Sequence, residues 1–202
     1  PEIEKEYQRL FSEFGEGKKT YQLQLDFNYF EAFKNQKKDF AIANLKKFSK
    51  EPLTRYQKAR VKMLLADILV FDERFNEALI YYSQIQNEVK GDLLAQEARF
   101  KVAKTSYFKG DFNWAQVQLD VLKKSATQLI ANDAMHLSLL IKDNSLEDST
   151  QTALKQYARA DLLAFQNKRA EAILILENLL LNHKGEKIED EALYKLGELY
   201  EA

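Results

Sequence analysis

Two histidines, one turn rich in glycine and lysine, and one acidic run are the residues whose types could support chemistry in this 202-residue chain. His136 and His183 are far apart, and neither has a histidine four residues away, so the helical zinc motif His-Glu-x-x-His is absent. The turn at residues 15–20 lacks the first glycine of a phosphate-binding loop, because Ser12 occupies that place. The acids at 186–191 lack the Asp-x-Asp-x-Asp-Gly spacing of a calcium loop and suit a helix N-terminus instead. We therefore predict no metal and no cofactor.

Nucleophilic or paired acidic catalysis is not indicated by the sequence either. The chain has no cysteine, which excludes disulfides, thiolate metal sites and a cysteine nucleophile. No carboxylate is set among apolar residues on one predicted helix face, apart from the single acids Asp67 and Asp161. We therefore expect a protein without enzymatic activity. The open alternative is an enzyme with a perturbed acid pair in a pocket near the segment 130–141.

The composition favours helices and argues against several classes of partner. Lys and Arg total 30 against 31 Asp and Glu, and a net charge of -1 does not suit a broad nucleic-acid or anionic membrane surface. Six glycines and two prolines are too few for the frequent turns of a β-sandwich or barrel. No apolar run approaches the ~18 residues of a membrane span. The sequence also starts at Pro1 without an initiator methionine, so we expect it to be a piece of a longer chain.

The apolar residues recur at helical spacing almost throughout the chain. Val61, Leu64, Leu65, Ile68 and Leu69 follow the i, i+3, i+4, i+7, i+8 pattern of one buried helical face. The breaks between such runs carry glycine, proline or short polar stretches, which end helices. The pattern predicts about ten short helices with tight connections.

These helices repeat with an offset of 37 residues. Each helix of a pair has a small residue at a fixed place, as close packing of two helix axes requires. A recurring helix pair of this length indicates a repeat protein. The equivalent positions are Ala66 and Ala103, Ala78 and Ala115, Ala41 and Ala78, and Ala160 and Gly197.

The segment 107–115 resembles the helix–turn–helix joint of a tetratricopeptide repeat. The best-matching repeat has Ala103 as the small residue of its first helix, helix A, a Gly-Asp-Phe turn at 110–112, and Ala115 in its second helix, helix B. In the preceding repeat Glu73 and Arg74 replace the Gly-Asp turn. The resemblance covers most of the chain from about residue 22. It implies an all-α fold, an α-α superhelical solenoid of stacked antiparallel helix pairs.

The resemblance implies a single array over residues 1–202. A step of 57 residues between two of the repeats exceeds the regular offset by one helix, which we place at about 130–142. In the first repeat Tyr29 stands at the place of the small residue. The predicted boundaries are an N-terminal helix and turn at 1–21, repeats at about 22–58, 59–95, 96–129 and 153–189, and an incomplete repeat at 190–202.

In this family helix A of each repeat lines a concave groove, and the resemblance therefore implies a set of partner-binding residues. They combine aromatic side chains with single charges, a composition typical of a peptide-binding surface. An alternative interpretation is that the aromatic residues belong to the core. The predicted partner-binding residues are Arg60, Met63, Asp67, Phe71, Phe100, Lys104, Tyr107, Phe108, Tyr157, Asp161 and Phe165.

The function that the sequence favours is a non-enzymatic scaffold that binds a peptide or segment of another protein on the concave helix-A surface. The alternative is a structural assembly or spacer module of a larger bacterial envelope protein, with possible self-association. Chaperone-binding members of the family hold a carboxylate with Lys and Asn residues, but Met63, Asp67, Phe100 and Lys104 stand at those places. The style of the repeats resembles that of bacterial cell-envelope members, which implies the periplasm or cell envelope, with the cytoplasm as the alternative.

Overall fold

The computed structural model describes residues 2–125, 127–145 and 150–201. Within them the chain has eleven α-helices, one short 3₁₀-helix at Lys18–Thr20 and no β-strand, so the predicted all-α class is confirmed. The outermost residues of the predicted segments 1–21 and 190–202, and residue 126 of the predicted repeat 96–129, lie outside this description. The helices are α1 (Glu2–Phe14), α2 (Tyr21–Phe33), α3 (Lys38–Phe48), α4 (Arg55–Phe71), α5 (Phe75–Glu88), α6 (Leu93–Lys109), α7 (Phe112–Ser125), α8 (Gln128–Ser145), α9 (Thr152–Phe165), α10 (Arg169–Asn182) and α11 (Ile188–Glu201).

Contacts divide the chain into two compact units, Pro1–Arg99 and Phe100–Ala202, with the boundary inside α6. In the first unit α2 packs against α3 and α4, and α4 packs against α5. Leu45 on α3, Leu65 on α4 and Ile85 on α5 are fully buried, and each such side chain stabilises the fold by about 1.5–3 kcal/mol. None of the described helices has the length and apolar content needed to cross a membrane.

The second unit has one hydrophobic core to which six helices contribute. Tyr107 of α6, Leu119 of α7, Leu154 of α9 and Leu176 of α10 are fully buried in it. The helix α9 packs against α10 and α8, and α11 packs against both α9 and α10. The end of α6, α9 and α11 thus supply the residues of this unit that the sequence assigns to helix A.

The connection between the two helices of each pair contains one residue in the left-handed backbone conformation. Gln36, Glu73, Gly110 and Asn167 follow α2, α4, α6 and α9, and each has a positive φ between 57° and 81°. Glycine adopts this left-handed conformation without steric cost and asparagine at a small cost, whereas Gln36 and Glu73 adopt it against their preference. Successive members of this set are 37, 37 and 57 residues apart in the sequence. The small residues of helix B, Ala41, Ala78, Ala115 and Ala172, have the same separations.

Main-chain hydrogen bonds close these connections. In three of them the amide of the residue after the left-handed one donates to a carbonyl five residues back, which satisfies an orphan group at the helix end. In the first connection the Lys37 amide instead reaches the Glu31 carbonyl, six residues back, at 2.8 Å, so this turn contains one more residue. The three equivalent bonds, all 2.8 Å long, run from Arg74 to Leu69, from Asp111 to Ser106 and from Lys168 to Leu163.

The additional residue explains why one sequence prediction is wrong. Tyr29, expected at the small position of α2, is half exposed, whereas the neighbouring Asn28 is fully buried. Because the turn after α2 is longer by one residue, the equivalent helical position moves back by one. The other small residues at the equivalent positions are fully buried, except Gly197 of the last helix, which is exposed. The buried ones are Ala66, Ala103 and Ala160 in helix A and Ala41, Ala78, Ala115 and Ala172 in helix B.

The helix α8 occupies the segment where the sequence predicts an additional helix, and it meets α7 through polar side chains. Ser138 of α8 is buried, and its Oγ accepts hydrogen bonds from Gln116 Nε2 at 2.6 Å and from Lys123 Nζ at 2.9 Å. Lys123 also pairs with Asp120 at 2.7 Å on the same helix, α7. The polar contact adds to the apolar packing of α8, whose residues Ala134, Leu137 and Ile141 belong to the core of the second unit.

Candidate functional site

Four of the predicted partner-binding residues come together in the second unit. Lys104 and Phe108 lie one turn apart on α6, and Asp161 and Phe165 have the same spacing on α9, so each pair shares a helix face. Lys104 Nζ donates to Asp161 Oδ2 at 2.5 Å. The rings of Phe108 and Phe165 stack at 6.0 Å between centroids with an interplanar angle of 29°. We call these four residues the α6–α9 face.

A residue of α11 extends the ionic contact of this face. Lys195 Nζ lies 3.4 Å from Asp161 Oδ1, so both oxygens of one carboxylate face ammonium groups. The side chains of Lys104, Asp161 and Lys195 are 34%, 16% and 23% exposed, which makes the carboxylate the most buried member. Burial works against the ammonium of Lys195, but Asp161 and Glu198 outweigh it and raise its pKa above the usual value.

The ammonium of Lys104 also contacts aromatic rings. Its Nζ lies 4.9 Å from the ring centroid of Tyr107 and 5.0 Å from that of Phe108. Both distances are within the range of a cation–π contact. The position of Lys104 is thus fixed by one carboxylate and two rings before any partner binds.

Three other predicted partner-binding residues are buried, which corrects the prediction for them. Tyr107 is 0% exposed, and Met63 and Tyr157 are also buried, because each points into the core of its own unit. Within the described part of the chain the Tyr107 hydroxyl has no hydrogen-bond partner. Phe100 is half-buried and packs against the core of the second unit. These four side chains therefore support the fold and are not available as the main contacts of a partner.

The predicted residues of the first unit do not form one cluster. Arg60 is exposed, and it lies eleven residues before Phe71 on α4, which corresponds to about 16 Å along the helix. Asp67 accepts a hydrogen bond from the buried Tyr82 hydroxyl at 2.5 Å. Phe71 meets the ring of Phe33 edge-on, with 4.9 Å between the ring centroids. Asp67 thus has a structural contact, and only Phe71 belongs to an aromatic pair comparable with that of the second unit.

Sequence reasoning missed Lys195 and Phe33. Lys195 lies three residues before Glu198, and the two side chains form an ion pair, so an acid at this helical spacing was the available signal. Phe33 lies in the repeat whose connection has one more residue, so its position could not be read from the offset.

The arrangement of the α6–α9 face suits non-covalent recognition. The Asp161 carboxylate is engaged by two ammonium groups, and the rings of Phe108 and Phe165 beside it carry no titratable group. The part of the chain that the structure describes holds no group of three His, Cys, Asp or Glu side chains that could bind a metal ion. His183 contacts Glu186 at 2.9 Å, and His136 is exposed on α8.

Buried tyrosines give the stability of the protein a predictable dependence on alkaline pH. Burial raises the pKa of Tyr82, Tyr107 and Tyr157 above the ordinary value of 10, and the carboxylates of Asp67 and Asp161 raise it further. A tyrosine whose pKa is raised in the folded state contributes to the free energy of unfolding, fully below pH 10. This contribution is lost as the pH rises above 10, because the unfolded chain then ionises more readily than the folded one. We therefore expect the midpoint of urea unfolding to fall above pH 10. In an absorbance titration at 295 nm, fewer than the ten tyrosines should ionise before the helical signal is lost; ionisation of all ten in the folded protein would contradict this.

Comparison of this chain with protein-family models, with curated proteins and with solved structures finds no match. The function is therefore inferred from the α6–α9 face and from the recurring helix pairs.

Proposed function

We propose that this protein is a non-enzymatic scaffold of tetratricopeptide-like helix pairs, stacked as a solenoid, that binds a segment of another protein on its helix-A surface. The recurring left-handed connections, the closing hydrogen bond that three of them share and the buried alanines at matching steps support the repeat architecture. The α6–α9 face is the single observation that carries the binding role.

The aromatic pair of this face has the properties of an anchor point. Phe165 is 42% exposed although its ring stacks on Phe108, so apolar surface is held in a fixed place. Aromatic residues that are held rigidly before binding lose little entropy when a partner covers them. Covering the pair with an aliphatic or aromatic side chain would remove this apolar surface from water.

The lysine of the face, Lys104, supplies polar contacts beside the anchor. An ammonium group has three N–H donors, and the contact with Asp161 uses one donor of Lys104. The remaining donors can bind main-chain carbonyl groups of a bound segment. We therefore propose an extended or helical segment with one apolar anchor side chain as the partner.

Selection from a displayed peptide library with the immobilised protein tests this proposal. We expect enriched peptides to share an aliphatic or aromatic residue, and we expect Phe165→Ala to weaken their binding roughly tenfold or more. Trp114→Ala is the matched control, because Trp114 is 48% exposed but lies on α7, outside the face. Peptides that bind Phe165→Ala as tightly as the unchanged protein, or that lose binding equally with Trp114→Ala, would contradict the proposal.

Exposed apolar side chains on α11 favour a second role, the assembly or spacer module. Leu193, Tyr194 and Tyr200 are all more than half exposed on this helix. Exposed apolar side chains on one helix suit contact with another copy or with a neighbouring module. A library that yields no peptide sensitive to Phe165→Ala, together with a sedimentation coefficient that rises with protein concentration, would favour this role.

A further inference from the structure

A polar cavity in the first unit lies between α2, α3 and the turn that precedes α2. Its volume is about 180 Å³, and it opens to solvent. One ordered water needs only ~10–15 Å³ of such volume, so the cavity has room for a larger polar group. It is formed by residues of the unit Pro1–Arg99 alone, and it is separate from the α6–α9 face.

A buried amide side chain faces this cavity without a partner. Gln24 of α2 is 3% exposed, and no hydrogen bond joins its side-chain amide to any other described residue. A ligand that enters the cavity can therefore bind this amide without displacing a protein partner. Beside it, Asn44 Nδ2 donates to Asn28 Oδ1 at 3.0 Å, so the Asn44 side chain has its carbonyl oxygen left to accept from the cavity.

The charges around the cavity are predominantly negative. Glu16 and Glu51 line it together with one cation, Lys47, and none of the three forms an ion pair within the described ranges. The set therefore has one excess negative charge. Together with the oxygens of Gln24 and Asn44, the wall offers more acceptors than donors.

We propose that this cavity binds the guanidinium group of an arginine side chain of a partner protein. A guanidinium carries five N–H donors in a plane and a permanent positive charge, which matches a wall of two carboxylates and two amide oxygens. The ring of Phe48 lines the same cavity and offers an apolar wall for the planar group or its alkyl stem.

Other ligand classes fit this wall less well. A phosphate or carboxylate would meet the charges of Glu16 and Glu51 with only Lys47 to balance them. Free arginine carries its own carboxylate and is disfavoured for the same reason, whereas an arginine inside a polypeptide is not. A lysine ammonium has three donors in place of five and satisfies fewer of the acceptors.

The experiment is a titration of the ¹⁵N-labelled protein with Nα-acetyl-L-arginine amide, a blocked residue that represents arginine within a chain. We expect saturable shifts of the Gln24 side-chain amide and of the Gly17 backbone amide. Nα-acetyl-L-citrulline amide has nearly the same shape but no charge, and we expect its binding to be at least about tenfold weaker. Equal binding of the citrulline compound, or tighter binding of free L-arginine, would overturn the proposal.

Two variants of the protein complete the test. Glu16→Gln with Glu51→Gln should weaken arginine binding about tenfold or more, whereas Glu2→Gln with Asp39→Asn changes the net charge equally at exposed positions and should leave binding unchanged. Gln24→Met should abolish binding without lowering the unfolding midpoint, because the lost amide has no protein partner. Retained binding in the Glu16 and Glu51 variant, or shifts caused equally by sodium phosphate, would show that the site is not one for arginine.

Discussion

Replacement of Tyr107 by alanine is expected to lower the free energy of unfolding by about 4 kcal/mol. Its ring is fully buried in the core of the second unit, beside Phe108 and Phe112 at 5.7 and 5.9 Å between centroids. Removal of the ring loses the transfer free energy of a large side chain and leaves a cavity between packed helices. Urea unfolding followed by circular dichroism measures the loss.

Tyr107→Phe is the control that separates the ring from the hydroxyl. Because the hydroxyl is buried and has no partner among the described residues, its removal should leave stability unchanged or raise it by up to about 1 kcal/mol. The same substitution at Tyr82 removes a hydrogen bond to the Asp67 carboxylate and should lower stability by about 2 kcal/mol. A loss at Tyr107→Phe as large as that at Tyr82→Phe would show that the Tyr107 hydroxyl has a partner after all.

Asp161→Ala is expected to lower the free energy of unfolding by about 2 kcal/mol. The substitution leaves the ammonium groups of Lys104 and Lys195 close together without the carboxylate between them. The loss is smaller than for a fully buried pair because both lysines retain contact with water. It should increase as the salt concentration is lowered, since the remaining repulsion is screened by ions.

A double substitution tests the electrostatic origin of this effect. Asp161→Leu combined with Lys104→Met removes one charge of each sign and should recover most of the stability lost in Asp161→Ala. Double-mutant analysis of the two positions then gives their coupling energy. Equal losses at low and high salt, or no recovery in the double variant, would show that packing and not charge determines the effect.

The helix pairs could be predicted from the sequence because their signals are local. Small residues at Ala66, Ala78, Ala103 and Ala115 are required wherever two helix axes approach closely, so their 37-residue offset was visible without a structure. The same offset, increased by one helix, brought Lys104 and Asp161 into a predicted common surface. The structure places their charged groups in contact.

Which face of each helix points to water could not be read from the same pattern. Tyr107 and Phe108 are adjacent in sequence, but the rotation of α6 buries the first and leaves the second partly exposed. That rotation depends on tertiary packing, including the contacts with α9, which is distant in sequence. The Gln24 cavity was equally invisible, because a buried amide near two distant acids has no characteristic spacing.

The helix connections have a consequence for how such a chain can change over generations. Gln36, Glu73, Gly110 and Asn167 differ in chemistry, yet each occupies the same backbone conformation, and the bonds that close the turn come from main-chain atoms. Drift in the side chains at these corners therefore leaves the closure intact. A gene segment encoding one hairpin can be duplicated in frame, and the added copy brings its own closed corner with it.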